Sequence, residues 1–447
     1  MNMKKQFVVY LVLLITLQKT IHAQDTSAKP YSIVIKGGHV IDPKNKIDGL
    51  MDIAISHSTG GPPRYAQSLT VEQEGKIALV AKNIDPALAV QVVNAKGMYI
   101  TPGLIDIHSH NFWGHDGEYQ MNGPRDLMAD GFTFRTGVTT VVDAGGSGWR
   151  TFPLFKKQSI DRSQTRMLAM LNIVGEGMRG SRFEQNLDDM NSDSTGKIAL
   201  QHKNLIVAIK LAHFSGHNWA PTDRAIAAAR MADIPIMVDF GSATPFLPLQ
   251  DLFLKKFRPG DIYTHAFGGN NSISPNGRES IVDVNTNNVK PFVLEAQKKG
   301  IVFDVGFGGA SFLFAQAMPA IKSGFYPNSI STDLHIESMN GPMKDMPNIM
   351  SMFIAMGMPF KEVITASTWN PAKEIRRTDL GNLSVGSVAD IAIFTLREGN
   401  FGFYARDGKI NGKQRLETEM TLRGGHIVFN LNAIAEPVNV PVMRRNP

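Results

Sequence analysis

The chain has 447 residues, 43% hydrophobic and 19% charged, a balance that suits a soluble globular enzyme rather than a disordered or membrane protein. That length exceeds one compact core, and a barrel of roughly 250 residues leaves room for a second, smaller domain. The formal net charge is +6 without a dense Lys/Arg patch, which excludes nucleic-acid binding, and the absence of cysteine excludes disulfides and thiolate ligands, so any metal must be held by His and carboxylate groups.

Residues 1–23 read as a secretory signal peptide. Lys4 and Lys5 form a charged start, Phe7 to Leu17 is an apolar run, and Ala23 ends a cleavage site that makes Gln24 the first mature residue. Ile21, three positions before the cut, is larger than the Ala such sites favour. The run is shorter than the ~20 residues of a spanning helix, and no later stretch reads as a membrane span. The expected compartment is periplasmic or secreted, with no stable membrane anchor after cleavage.

From residue 32 the pattern is β. "SIVIKGGHVID", "MDIAIS", "SLTVEQEGKIALVAKNI" and "VQVVNAKGMYI" alternate and break at Gly and Asn. The far end echoes this in "VADIAIFTLRE" and "EMTLRGGHIVFNL". The simplest account is one small β-sandwich domain built from both chain ends, residues 24–101 and 380–447. The barrel domain, 102–379, is inserted between them.

The middle alternates strand and helix. "GLIDIHSH", "TTVVDAG", "MLAMLNIVG", "LIVAIKLAH", "IPIMVDFG", "DIYTHAFG", "IVFDVGFG" and "SISTDLH" are eight short, apolar, β-branched segments, with helical stretches such as "PTDRAIAAARMA" and "NVKPFVLEAQKKG" among them. Alternation of this kind predicts an α/β fold with a parallel sheet, closed as a (β/α)8 TIM barrel. Metal-binding residue types cluster at the C-terminal ends of these strands, where barrel enzymes place their chemistry.

In "DIHSH", residues two apart share a strand face. His108 and His110 therefore point together into the barrel mouth, above Asp106. Lys210, inside "LIVAIKLAH", is costly as a buried cation. Either it snorkels to the rim, or its neutral amine captures carbon dioxide and becomes an anionic carbamate. His265 ends "DIYTHAFG" and Asp333 ends "SISTDLH", adding an imidazole and a carboxylate at the same face.

These residues carry a resemblance. "TPGLIDIHSH", Lys210, His265, Asp333 and the closing "NPAKEI…LGNLSVGSVADIAIF" resemble the amidohydrolase superfamily, in its branch of dihydroorotase-like metallohydrolases and deacetylases. The resemblance covers nearly the whole mature chain. It implies two divalent ions, zinc by preference, a bridging hydroxide, a carboxylated Lys210 and an Asp333 that shuttles the proton. One departure stands out: two-metal relatives carry a His at the end of the fifth strand, where this chain has Asp239. Asp239 can substitute as a ligand, or one ion alone is tightly held. His213 and His217 are the alternative replacements.

Substrate choice lies in the loops. Trp113, His115 and Tyr119 follow the first strand, Arg179 and Arg182 follow the third and can pair with a substrate carboxylate, and His335 follows the eighth. True dihydroorotases resemble one another in having an Arg soon after the H-x-H pair, and here Asn111, Phe112 and Trp113 follow instead. The expected substrate is a small N-acyl or O-acyl compound, cleaved by a deacetylase or amidase. A cyclic amide or imide hydrolase with the same metal site is the second reading, and a non-catalytic binding protein on this fold is the third. The partner is a small molecule, and a homo-oligomer is compatible with the sequence. N-terminal sequencing of exported protein is expected to begin at Gln24, and a start at Met1 would disprove the signal.

Overall fold

The structure, a computed structural model, describes residues 29–60, 73–113, 125–239, 247–269 and 279–437. Five strands open the chain: β1 (Tyr31–Asp42), β2 (Ile47–Ile55), β3 (Ile77–Ala81), β4 (Ala89–Asn94) and β5 (Tyr99–Pro102). Seven strands follow, alternating with helices: β6 (Leu104–Ser109), β7 (Val138–Gly148), β8 (Arg166–Asn172), β9 (Ile206–Ala212), β10 (Ile236–Asp239), β11 (Ile262–Tyr263) and β12 (Val302–Phe303). The chain closes with β13 (Ile391–Ala405), β14 (Gly408–Arg423), β15 (His426–Asn430) and β16 (Ala435–Glu436). The signal segment, His115 and Tyr119 lie outside the described residues. Among the described residues no helix is long and apolar enough to cross a membrane.

β6 to β12 pair in parallel, in chain order, as one seven-stranded curled sheet. The expected eighth strand is not a regular strand. Its segment, 328–334, nevertheless bonds both edges. Asn328 N–H donates to Phe303 O (2.8 Å), and Val305 and Phe307 N–H donate to Ser329 and Ser331 O (3.0 and 3.2 Å). On the other side Asp333 N–H donates to His108 O (2.7 Å) and His110 N–H to Leu334 O (2.9 Å). The result is TIM-barrel-like. Leu168, Met170, Ala208, Met237, Ile262 and Val302 fill its inside, capped by Ala372 and Ile375 of the helix region starting at Trp369. Ile209, Leu211, Ile236 and Val238 face the surrounding helices instead. This is the period-two alternation of strands covered on both sides.

The terminal strands form a second, separate sheet of nine strands. β13 pairs antiparallel with β5 (Ile391 opposite Pro102, Phe394 opposite Tyr99), so both chain ends share it. The expected β-sandwich takes the form of one hydrogen-bonded sheet that branches at β1. The first half of β1 pairs with β4, its second half with β5, and its register against β2 shifts between Ile35 and Gly38.

Four buried charges join the two sheets. Arg166, at the start of β8, bonds Glu74 Oε1 (2.8 Å) and Asp390; Arg423, at the end of β14, bonds the same Glu74 and lies 3.7 Å from Asp390 Oδ1. Burial pushes the Asp390 carboxyl up, but the two guanidinium groups outweigh it and hold the group below the usual carboxylate range. Its stabilisation is therefore present above a pH of about 4 and is lost as pH falls below that. Arg166→Ala leaves two buried carboxylates with one cation between them and is expected to cost about 3–5 kcal/mol. Urea denaturation checks this, and a loss under about 1 kcal/mol would mean that water replaces the missing charge.

Candidate metal centre

On β9 and β10 the inner face continues two residues further to the mouth. Lys210 follows Ala208 on β9 and Asp239 follows Met237 on β10, so both stand on top of the inner core. Lys210 is fully buried, with Nζ 3.4 Å from His108 Nε2 and 3.5 Å from Met237 Sδ. His108, His110 and Asp333 meet across the seam between β6 and segment 328–334. His110 Nε2 lies 2.8 Å from Asp333 Oδ1 and His108 Nε2 lies 3.6 Å from it. One ligand atom from each of the three falls within 4.8 Å of the others, close enough to share one ion.

The hydrogen bonds behind the ligands fix their tautomers. Thr264 Oγ1 donates to Asp304 Oδ2 (2.7 Å), so it accepts from His108 Nδ1–H (2.8 Å). Asp304 also accepts from Ser329 (2.7 Å) and Ser331 (2.8 Å). Burial opposes its ionisation, but these bonds and His108 hold it below the usual range. The proton thus sits on His108 Nδ1, and Nε2 offers its lone pair to the site. Burial, then the Lys210 ammonium, depress His108 to a pKa of about 3, so the ring is neutral at physiological pH. Asp333 is buried too, yet His108, His110 and His265 hold it ionised, well below the usual carboxylate range.

His265 is set in the same way. Its Nδ1–H donates to Gly306 O, and its Nε2 faces Asp239 Oδ2 at 3.2 Å. An imidazole nitrogen and a carboxylate oxygen aimed at the same space form a donor set that fits a metal ion. Asp239 Oδ2 also lies 3.3 Å from His213 Nε2, whose Nδ1 bonds buried Glu184 (2.9 Å). Burial lowers the pKa of His213, but Asp239 and Glu184 outweigh it and raise it to about 10. His213, His265 and Asp333 all have left-handed backbones (φ 54°, 54° and 52°), a conformation non-glycine residues hold only where surroundings force it.

A cavity of about 620 Å³ opens above these groups, walled by Arg125, Asp126, Arg179, Glu184 and His335. Arg179 donates to Glu176 Oε2 (2.9 Å). His335 accepts from Ser338 N–H as a helix cap, with Nε2 4.0 Å from Asp333 Oδ2. Two expected contacts fall elsewhere. Trp113 lines a separate small cavity beside Gln158 and Ser159, because Asn111 N–H bonds Asp143 (2.8 Å) and turns the chain away after His110. Arg182 lies over the Phe183 ring at 4.6 Å and, like His217, does not line the metal cavity.

The sequence model of the amidohydrolase family matches residues 278–428. A deacetylase of Brucella anthropi is 32% identical over 355 residues, which is 78% of this chain and 84% of the relative. A deacetylase of Agrobacterium fabrum is 31% identical over 392 residues, 86% of this chain and 91% of the relative. The chain belongs to the amidohydrolase family. A solved adenine deaminase has the same fold, with a TM-score of 0.75 at 27% identity over 89% of this chain and 99% of that one. This amidohydrolase is therefore a hydrolase, with a candidate His-His-Asp metal site at its barrel mouth.

Sequence reasoning missed several residues that shape the amidohydrolase site. Thr264 and Asp304 were readable as polar residues inside apolar strands, a signal for a buried partner. Asp126 was not readable. Its carboxyl is buried on the cavity wall, Oδ2 has no hydrogen-bond partner among the described residues, and burial beside Asp143 pushes its pKa well up. Gly306 leaves room for the ligand shell: with φ at +46°, a Cβ there would stand 2.4 Å from Thr264 Oγ1 and 2.8 Å from His265 Nδ1. Gly306→Ala is expected to weaken metal binding roughly 10–100-fold and to cost about 1–3 kcal/mol of stability. Zinc titration calorimetry and thermal melts test both, and wild-type zinc affinity in the variant would refute the role.

Proposed function

We propose that this protein is a metal-dependent amidohydrolase of deacetylase type that cleaves a small N-acyl or O-acyl compound. The reading includes a complete (β/α)8 barrel over residues 102–379, a second domain from 24–101 and 380–447, and export after cleavage behind Ala23. The observation that carries it is the convergence of His108, His110 and Asp333 beside buried Lys210, with the His265–Asp239 acceptor pair facing the same space. The deacetylase relatives support the acyl substrate.

His108, His110 and Asp333 would hold one divalent ion, and His265 and Asp239 a second, both zinc by preference. Lys210, with Nζ 3.4 Å from His108 Nε2, is assigned as a carbamate, which would supply an anionic ligand shared by the two ions. The fully buried Nζ favours this, because a bare ammonium beside divalent ions is strongly disfavoured. When bound, such ions supply Lewis acidity to the scissile carbonyl and lower the pKa of water toward neutrality. Asp333, ionised through the physiological range, takes the proton released on attack and returns it to the leaving amine or alkoxide. Arg125, Arg179 and His335 line the cavity through which the acyl compound enters and are the groups available to hold its polar end.

The test is elemental analysis combined with hydrolysis of acyl amino acids, acyl hydroxy acids and cyclic amides. Two equivalents of metal and turnover of acyl substrates are expected. Faster turnover of cyclic amides would replace this reading with the cyclic-amide one. Asp333→Asn is expected to lower kcat about 10²–10⁴-fold with an unchanged melting temperature. Lys210→Ala is expected to lose metal and activity, with partial rescue by a short carboxylic acid; density ending at a plain ammonium in metal-loaded protein would refute the carbamate.

A further inference from the structure

A second cavity, of about 420 Å³, lies between the back of the barrel wall and the strands β14 and β15. It shares no lining residue with the metal cavity. The two are back to back, since Thr332 and Leu334 line one while Asp333 and His335 line the other. Asp106 forms part of its inner wall and accepts hydrogen bonds from Thr332 N–H (3.0 Å) and Thr332 Oγ1.

Three cations line this cavity: Arg135, Lys344 and Arg415. None of their side chains makes a hydrogen bond or ion pair among the described residues; Lys344 rests over the Tyr404 ring at 4.5 Å. Three carboxylates line the same cavity and each has another partner. Asp106 is taken up by Thr332, and Asp345 Oδ1 is the helix cap that accepts from Asn348 N–H (2.7 Å). Glu417 is paired with Arg397 at 3.3 Å. The Lys344 ammonium is depressed by burial and then by Arg415, so two of the cations are close enough to repel. The helix Met346–Ala355 also begins at this cavity, with Asp345 as its cap. Two other charged clusters among the described residues are internally matched. The Arg166–Glu74–Arg423–Asp390 group has two of each sign, and Arg150, just after β7, has Glu176 and Asp189.

We propose that this cavity is a binding site for a small phosphate-class dianion, free phosphate or a small phosphate monoester, held by Arg135, Lys344 and Arg415. Two guanidinium forks and an ammonium suit tetrahedral oxyanions, since each fork can donate two parallel bonds. Thr418 supplies a buried hydroxyl that has no hydrogen-bond partner among the described residues, and Met339 and Met343 supply an apolar patch beside which the organic part of a monoester fits. The volume exceeds the needs of a bare phosphate, which favours the monoester.

The full-length mature protein is titrated with inorganic phosphate and with glycerol 3-phosphate by calorimetry, against chloride at matched ionic strength. Saturable binding is expected, tighter for the monoester. Arg415→Ala and Arg135→Ala are each expected to weaken it ten- to a hundred-fold, the effect of removing one charge-assisted contact. Melting temperatures without ligand separate lost binding from lost folding, and Lys344→Gln gives a third, milder variant. The same titration is run after metal removal by chelation, where binding is expected to persist. Binding that disappears on chelation but survives Arg135→Ala/Arg415→Ala would put phosphate on the metal site and overturn the proposal. So would the absence of saturable binding to wild type. Neither outcome bears on acyl hydrolysis, which is measured separately.

Discussion

Two backbone hydrogen bonds, Asp333 N–H to His108 O and His110 N–H to Leu334 O, join the first strand of the curled sheet to the segment that follows its last. They are made by the same residues whose side chains form the His-His-Asp group. Joining the sheet edges and assembling the group are thus one event. The side chain of Asp333 can reach His110 only because its backbone takes the left-handed turn that the seam imposes. Behind the seam, Asp304 collects Ser329 and Ser331 from the segment and, through Thr264, orients His108. One buried carboxylate therefore ties three neighbouring staves to the ligand that faces the cavity.

Much of this was legible in the sequence because it follows from strand periodicity. Each of the first seven expected strands overlaps an observed one, and Lys210 and Asp239 stand above the inner core where alternation places them. The eighth, "SISTDLH", has the composition of a strand, but its polar side chains bond Asp304 and its Asp333 leaves the extended region, so the ladder is broken. Local composition does not encode that. Nor does it encode the branch at β1, where one strand takes β4 on its first half and β5 on its second. Trp113 was misread for a related reason. Sequence proximity to His110 suggested the mouth, whereas the Asn111–Asp143 bond sends the chain elsewhere.

Three charged clusters of this protein are told apart by what completes them. The quartet around Arg166 closes on itself, with each guanidinium reaching both carboxylates, and its role is to hold two sheets in one orientation. At the mouth, an imidazole nitrogen and a carboxylate oxygen face one another at His265 and Asp239, a donor set that a cation completes. In the rear cavity Arg135, Lys344 and Arg415, exposed or half-buried, stand beside Asp106, Asp345 and Glu417 without an ion pair of their own among the described residues.

The pairing of β5 with β13 has a bearing on how the molecule is made. The strands at the front of the chain cannot complete their sheet until the strands at its end have left the ribosome. Throughout synthesis β5 presents an open edge, and the barrel strands between must form or wait. Such contacts between distant parts of a chain are slow to form and leave edges available to wrong partners. An enzyme built this way cannot complete its small sheet stepwise as it emerges, because one of its pairings joins the two ends of the chain.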